Sequence, residues 1–193
     1  MNSLKFFSLA IGIFVCANIA NAQSVKPAFK KLWFASYETA KPGKVKAVAV
    51  KDLIEITETG AVHFRTVYYN GVADTTYQLA EDLIIKLNKI FNGDKKLESR
   101  MVANRLKPGE HYAGNLSLIS YVDHKDKIDN FIYVEPFMND QFNDLMQKLP
   151  ILPSKVSYKG QIIEDKAIEN QIIESNNVCT YLPDISLPPS IKQ

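Results

Sequence analysis

The stretch AVHFRTVYY, Ala61 to Tyr69, decides the fold class. Val62, Phe64 and Tyr68 fall on one side of an extended chain and His63, Arg65 and Tyr69 on the other, the two-residue period of a strand with one face buried. Thr59-Gly60 stands before it as a turn signal, so the stretch reads as the second arm of a hairpin. The first arm is Val45 to Thr57, where two apolar runs, Ala47 to Val50 and Leu53 to Ile56, are separated by Lys51-Asp52. That interruption reads as a bulge or a tight turn. Further upstream, Phe29 to Tyr37 has the same texture, and Pro42-Gly43 between the two supplies a turn.

Downstream, Asn70-Gly71 is the next turn signal, and the chain passes through Thr75 to Tyr77 into a helical stripe. Leu79, Leu83, Ile84, Leu87, Ile90 and Phe91 recur at helical spacing, with Glu81 and Asp82 in the first turn and Asn92-Gly93 as a stop. Asp94 to Leu106 fits a short helix and an irregular segment equally well, and Pro108-Gly109 ends it. The order then repeats: a strand from Leu116 to Val122, a charged turn at Asp123 to Lys127, a strand from Ile128 to Val134, and a helix after Pro136. In that helix Phe142, Leu145, Met146 and Leu149 share a face, Asn139 or Asp140 serves as N-cap, and Pro150 terminates it. Two similar units do not require a duplication, since strand-turn-strand-helix is a common supersecondary pattern.

This succession of hairpins with helices inserted after them predicts an α+β fold. Its mainly antiparallel sheet carries two main helices, about 79-91 and 139-149, packed on one face. Residues 23-150 form the predicted globular domain. Residues 151-193 are a Pro-containing C-terminal extension, packed on the domain or extending from it, with a strand expected over Ser157 to Ile163. A short helix over Glu164 to Glu174 is expected to turn Ala167, Ile168 and Ile172 inward.

The N-terminus reads as an address. Lys5 precedes an apolar run from Phe6 to Ala17 that falls short of the roughly 20 residues a membrane span needs. Ala20 and Ala22 then stand in the small-x-small pattern of a signal-peptidase site. Residues 1-22 are therefore expected to be a cleaved signal peptide, with Gln23 first in the mature chain. Cys16 lacks the small neighbours of a lipoprotein site and belongs to the discarded run. Only Cys179 is then left, so no internal disulfide is expected. The chain's 193 residues are 46% hydrophobic and 23% charged, which excludes a disordered tail, a collagen and a multi-pass membrane protein. A net charge of +2, with Arg65, Arg100 and Arg105 the only arginines, leaves no electrostatic footprint for nucleic acid. No hydrophobic run of the mature chain is long enough to span a membrane.

Assembled chemistry is scarce. Cys179 sits in a Pro-bounded tail without the fixed electropositive pocket that activates a thiolate. Serines lie in neither Gly-x-Ser-x-Gly nor Ser-x-x-Lys, and the eight glycines form no phosphate-cradling loop. His63, His111 and His124 are too far apart for a local zinc motif, and Glu110-His111-Tyr112 reads as a polar connection. Asp123, His124, Asp126 and Asp129 cluster, but without EF-hand spacing and with Lys125 and Lys127 interleaved, so the segment reads as a solvated tip. Glu55, Glu58, Glu110 and Glu135 lie near strand ends as candidate carboxylates, and nothing singles out a pair. Tyr68, Tyr69, Tyr77, Tyr121 and Tyr133 would offer a sugar or peptide surface only if they emerge on an uncovered sheet face. Trp33, with Phe34 and Tyr37, reads as a packing anchor.

No residue is thus assigned a catalytic, cofactor-binding or metal-ligating role, and no cofactor is expected. The expected function is that of an exported, periplasmic or secreted, non-enzymatic domain of a bacterial envelope. It would contact an unknown protein or small ligand through the open face of its sheet. Two alternatives stand beside it. One is a small exported hydrolase using scattered carboxylates or a histidine; the other is an envelope assembly subunit using its tail, Cys179 to Gln193.

Overall fold

The computed structural model describes residues 25–39, 45–91, 116–134, 138, 140–151 and 157–178. Several sequence features fall outside these residues: the N-terminal address with Cys16, Pro42-Gly43, the segment from Asn92 to Asn115 with His111 and Glu110, Glu135, and the tail from Cys179.

Strands β1 (Lys31–Thr39), β2 (Val48–Thr57), β3 (Ala61–Tyr68) and β4 (Gly71–Gln78) are followed by helix α1 (Glu81–Phe91). Then come β5 (Leu116–Val122), β6 (Ile128–Tyr133), α2 (Asp140–Lys148), β7 (Ser157–Lys159) and α3 (Lys166–Val178). The strands form one seven-stranded sheet in the order β6-β5-β1-β2-β3-β4-β7. Every pairing is antiparallel. The predicted α+β architecture is the observed one.

The interruption at Lys51-Asp52 is a bulge. Asp52 pairs with Ser36 and Val50 with Tyr37, so Lys51 is the extra residue. Beyond it the alternation stays in phase with β1, which keeps Ile54 and Ile56 on the same face as Leu32. That face carries the larger core: Leu32, Ile54, Ile56, Val62, Phe64, Ile119 and Phe131 pack against Leu83, Ile84 and Leu87 of α1 and Phe142, Leu145 and Met146 of α2. The two main helices therefore share one side, as expected. Each fully buried Leu, Ile or Phe contributes about 1.5–3 kcal/mol.

Helix α3 lies on the opposite side. Its Ile168 and Ile172 join Ala35, Tyr37, Leu53, Leu118 and Ile132 in a second core. Three details differ from expectation. Ala167 is exposed rather than inward. The helix runs past Glu174 to Val178, because Asn176 accepts a hydrogen bond from the Tyr37 hydroxyl at 2.8 Å and Asn177 exchanges two with the Val45 backbone. Strand β7 stops at Lys159, where Gly160 turns the chain at φ +67°.

Candidate functional site

Because side chains alternate along each strand, the register sorts the α3 side of the sheet into rows running across the strands. An inner row comprises Ile132, Leu118, Ala35, Leu53, Arg65 and Asp74, reading from β6 to β4. The next is Asn130, Ser120, Trp33, Glu55, His63 and Thr76, and the outermost contains Ile128, Val122, Lys31 and Thr57. Helix α3 covers the first of these rows. It reaches the second only at the β5–β6 side, where Gln171 donates to Ser120 Oγ at 2.6 Å and to Asn130 Oδ1 at 2.8 Å. Trp33 packs against the second core, whereas from Glu55 to Thr76 the row stays partly exposed among the described residues.

Glu55 is the centre of this open strip. Its Oε2 accepts from Arg65 Nη2 at 3.1 Å, and its Oε1 lies 3.3 Å from Lys31 Nζ. His63 Nδ1 is 3.5 Å from Glu55 Oε2, while His63 Nε2 is 2.6 Å from Asp74 Oδ1. The imidazole thus stands between carboxylates on β2 and β4, hydrogen-bonded to Asp74 through Nε2. Arg65 Nη2 reaches on to Asp165 Oδ2 at 3.4 Å. The Lys31 ammonium lies 4.1 Å from the centre of the Trp33 ring. All these side chains are partly buried, so each pair contributes well under the worth of a fully desolvated one, about 0–1 kcal/mol. Trp33 Nε1 and Arg65 Nε are buried without an acceptor among the described residues.

Beside Glu55 a shallow groove of about 430 Å³ opens between the β2–β3 hairpin and the end of β4. Lys31, Glu55, Thr57, His63, Thr76 and Gln78 supply its polar lining, with Ala61, Val62 and Tyr77 completing it. Its volume is within the range of small-ligand sites.

Of the residues weighed from sequence, the fold brings together Glu55 and His63. Glu58 lies elsewhere, in an exposed and long contact of 3.9 Å with His124. His124 also faces the Pro27 carbonyl at 3.4 Å. At the charged turn, Asp123 Oδ1 accepts the Lys125 and Lys127 amides at 2.8 and 2.9 Å. Those backbone donors, Lys127 first, hold the Asp123 carboxyl below its ordinary value. Asp126 pairs with Lys30 at 2.5 Å in solvent. Among the described residues no group of three or more His, Cys, Asp or Glu is arranged to hold a metal ion.

Tyr68, Tyr69 and Tyr121 do not furnish the open face, Tyr77 lines the groove, and the Tyr133 side chain lies outside the described residues. Tyr77 and Tyr121 pack against the larger core. Tyr68 meets Tyr158 edge to face at 6.5 Å near the sheet edge, and Tyr69 is 96% exposed in the turn before Gly71. Trp33 is the aromatic of the second row, and it packs against the second core with Nε1 buried. Asp74, Arg65, Lys31 and Asp165 were missed as site residues. The odd-numbered face of β3 already placed Arg65 beside His63, and the turn at Asn70-Gly71 sets Asp74 opposite Arg65. Nothing local announces Asp165. The chain matches no protein-family model and no curated protein.

Proposed function

We propose that this protein is an exported, non-enzymatic domain of a bacterial envelope that binds a small polar ligand on the strip of its sheet around Glu55. The observation that carries the reading is the groove beside Glu55, in which groups from β1, β2, β3 and β4 converge on a volume suited to a small molecule. Convergent polar groups on rigid strands are the general mark of a binding site. The export half of the reading rests on the N-terminal sequence pattern alone.

Binding is favoured over hydrolysis by the placement of His63 between two carboxylates. A general base must present a free nitrogen to the proton it removes. Here Nε2 is held by Asp74 and Nδ1 faces the Glu55 carboxylate. The hydrolase reading draws on the same Asp74–His63 contact as an orienting pair. It predicts that His63→Ala abolishes turnover of an ester, amide or glycoside substrate.

Two measurements test the proposal. N-terminal sequencing of the protein isolated from an envelope fraction is expected to start at Gln23; a start at Met1 in cytosolic protein removes the export half. Titration of ¹⁵N-labelled mature protein with the small-molecule fraction of that envelope is expected to shift the amides of Thr57, His63, Thr76 and Gln78. Shifts confined to the opposite face, or none, remove the binding half.

A further inference from the structure

Resting on that reading of the groove, we propose that the niche between the Trp33 ring and the Glu55 carboxylate is a binding site for a primary alkylammonium group. In the resting protein Lys31 closes it. The chain itself displays the recognition. The Lys31 ammonium lies 4.1 Å from the Trp33 ring centre and 3.3 Å from Glu55 Oε1, so it is held at once by an aromatic face and by an opposite charge. Ring quadrupole and carboxylate together are the two attractions by which ammonium ions are selected over neutral groups.

Lys31 is suited to leave. Its side chain is 38% exposed, and it belongs to the outermost row, on a long flexible stem whose ordering is entropically costly. Glu55 does not depend on it, because Arg65 Nη2 holds the other carboxylate oxygen at 3.1 Å. When Lys31 swings out, Arg65 and His63 are the ion-pair partners left to Glu55, Asp74 and Asp165 among the described residues, and the surplus of carboxylates draws in a replacement cation. The groove beside the niche has room for the alkyl stem and polar end of such a ligand. A ligand that must displace an internal occupant binds with an apparent affinity reduced by the occupied fraction. Removing Lys31 therefore sharpens the site instead of destroying it, whereas a Lys31 that touched the ligand directly would weaken binding when removed.

Trp33 is the chain's single tryptophan, so its emission reports on the niche directly. The experiment titrates the mature protein and its Lys31→Ala and Lys31→Met variants with n-butylammonium chloride and with Nα-acetyl-lysine methylamide. The uncharged Nα,Nε-diacetyl-lysine methylamide, sodium acetate and glucose are the comparison probes. Saturable emission changes are expected with both amines, roughly tenfold tighter in the Lys31 variants, weakened by salt, and absent with the diacetylated probe. Adding Glu55→Gln to Lys31→Ala is expected to abolish them. The proposal is overturned if amines leave Trp33 unchanged in both Lys31 variants, or if the diacetylated probe acts as well as the charged one. A saturable response to acetate or glucose alone also overturns it, and in that case the groove stands as a binding site for a different ligand.

Discussion

Arg65 and Asp165, a hundred positions apart, meet at 3.4 Å through Nη2 and Oδ2. The other oxygen of the same carboxylate, Oδ1, accepts the Ile168 amide at 3.2 Å. Asp165 is therefore both the N-cap of α3 and the peg that fastens that helix to β3, next to the open strip. Asp165→Ala removes both contacts and is expected to cost about 1–2 kcal/mol. Asp165→Asn keeps an oxygen for the cap and is expected to cost about half as much. Urea unfolding measures the totals. Hydrogen exchange should place the loss in Lys166 to Val178, and uniform loss over all strands would contradict the pegging role.

The two sides of the sheet are expected to answer differently to the same kind of truncation. Leu87 and Ile172 are both fully buried, at 0% exposure, yet Leu87 belongs to the larger core under α1 and α2 while Ile172 fixes α3 alone. Each substitution by alanine is expected to cost about 2–5 kcal/mol. Leu87→Ala should lower protection throughout the sheet. Ile172→Ala should first open α3 by local unfolding, exposing the inner row that the helix covers. Identical exchange patterns for the two variants would sink this distinction.

Gly71 carries φ +131° at the start of β4, and a Cβ there would lie 2.7 Å from the Gly160 carbonyl oxygen, a backbone atom. At Gly60, with φ +79°, the nearest atom at 2.8 Å is the Gln78 side-chain nitrogen. That nitrogen sits at the end of a flexible side chain and can move by giving up its hydrogen bond to the Thr59 carbonyl, while Ile84 Cδ1, at 3.1 Å, must give slightly. Both alanine substitutions incur the left-handed conformational cost of about 1 kcal/mol. Only Gly71→Ala also pushes β7 away from β4, so it is expected to cost more, by about 1–2 kcal/mol. Thermal unfolding of the two variants side by side checks the order.

What was legible in the sequence was what a two-residue or helical period reports. Val62 and Phe64 against His63 and Arg65, and the Leu83–Leu87 stripe, each declare a buried face, and the fold class comes from their order. The side of the sheet on which α3 lies is not a periodic property. Ile168 and Ile172 announce a buried stripe, but the crossing from β7 at the sheet edge decides which face receives it. The helix end was also hidden, since Asn176 and Asn177 have poor intrinsic helix propensity and are held by Tyr37 and Val45, more than 130 positions away. At the site, Glu55 and His63 were visible singly. Their meeting depends on the register that the turn before Ala61 imposes, and Asp165 enters from a segment with no local signature.

Tyr77 links the sheet to the end of α2, its hydroxyl donating to the Leu149 carbonyl. Burial is the main cause that pushes its phenol up to about 12, with the Ile151 backbone acting in the opposite sense. An unfolded tyrosine ionises near 10, so the folded state holds this proton more tightly. The stabilisation is complete below about pH 10 and is lost as pH rises from there through about 12. Tyr77→Phe removes both the hydrogen bond and the titration. At pH 8 the variant is expected to be less stable by about 1 kcal/mol. Between pH 10 and 12 the native protein should lose stability more steeply than the variant, and the gap between them should close. Denaturant unfolding of the pair across that window subtracts the lysines and other tyrosines, which titrate alike in both. Parallel curves would show that the Tyr77 proton is held no more tightly in the folded chain than in the unfolded one.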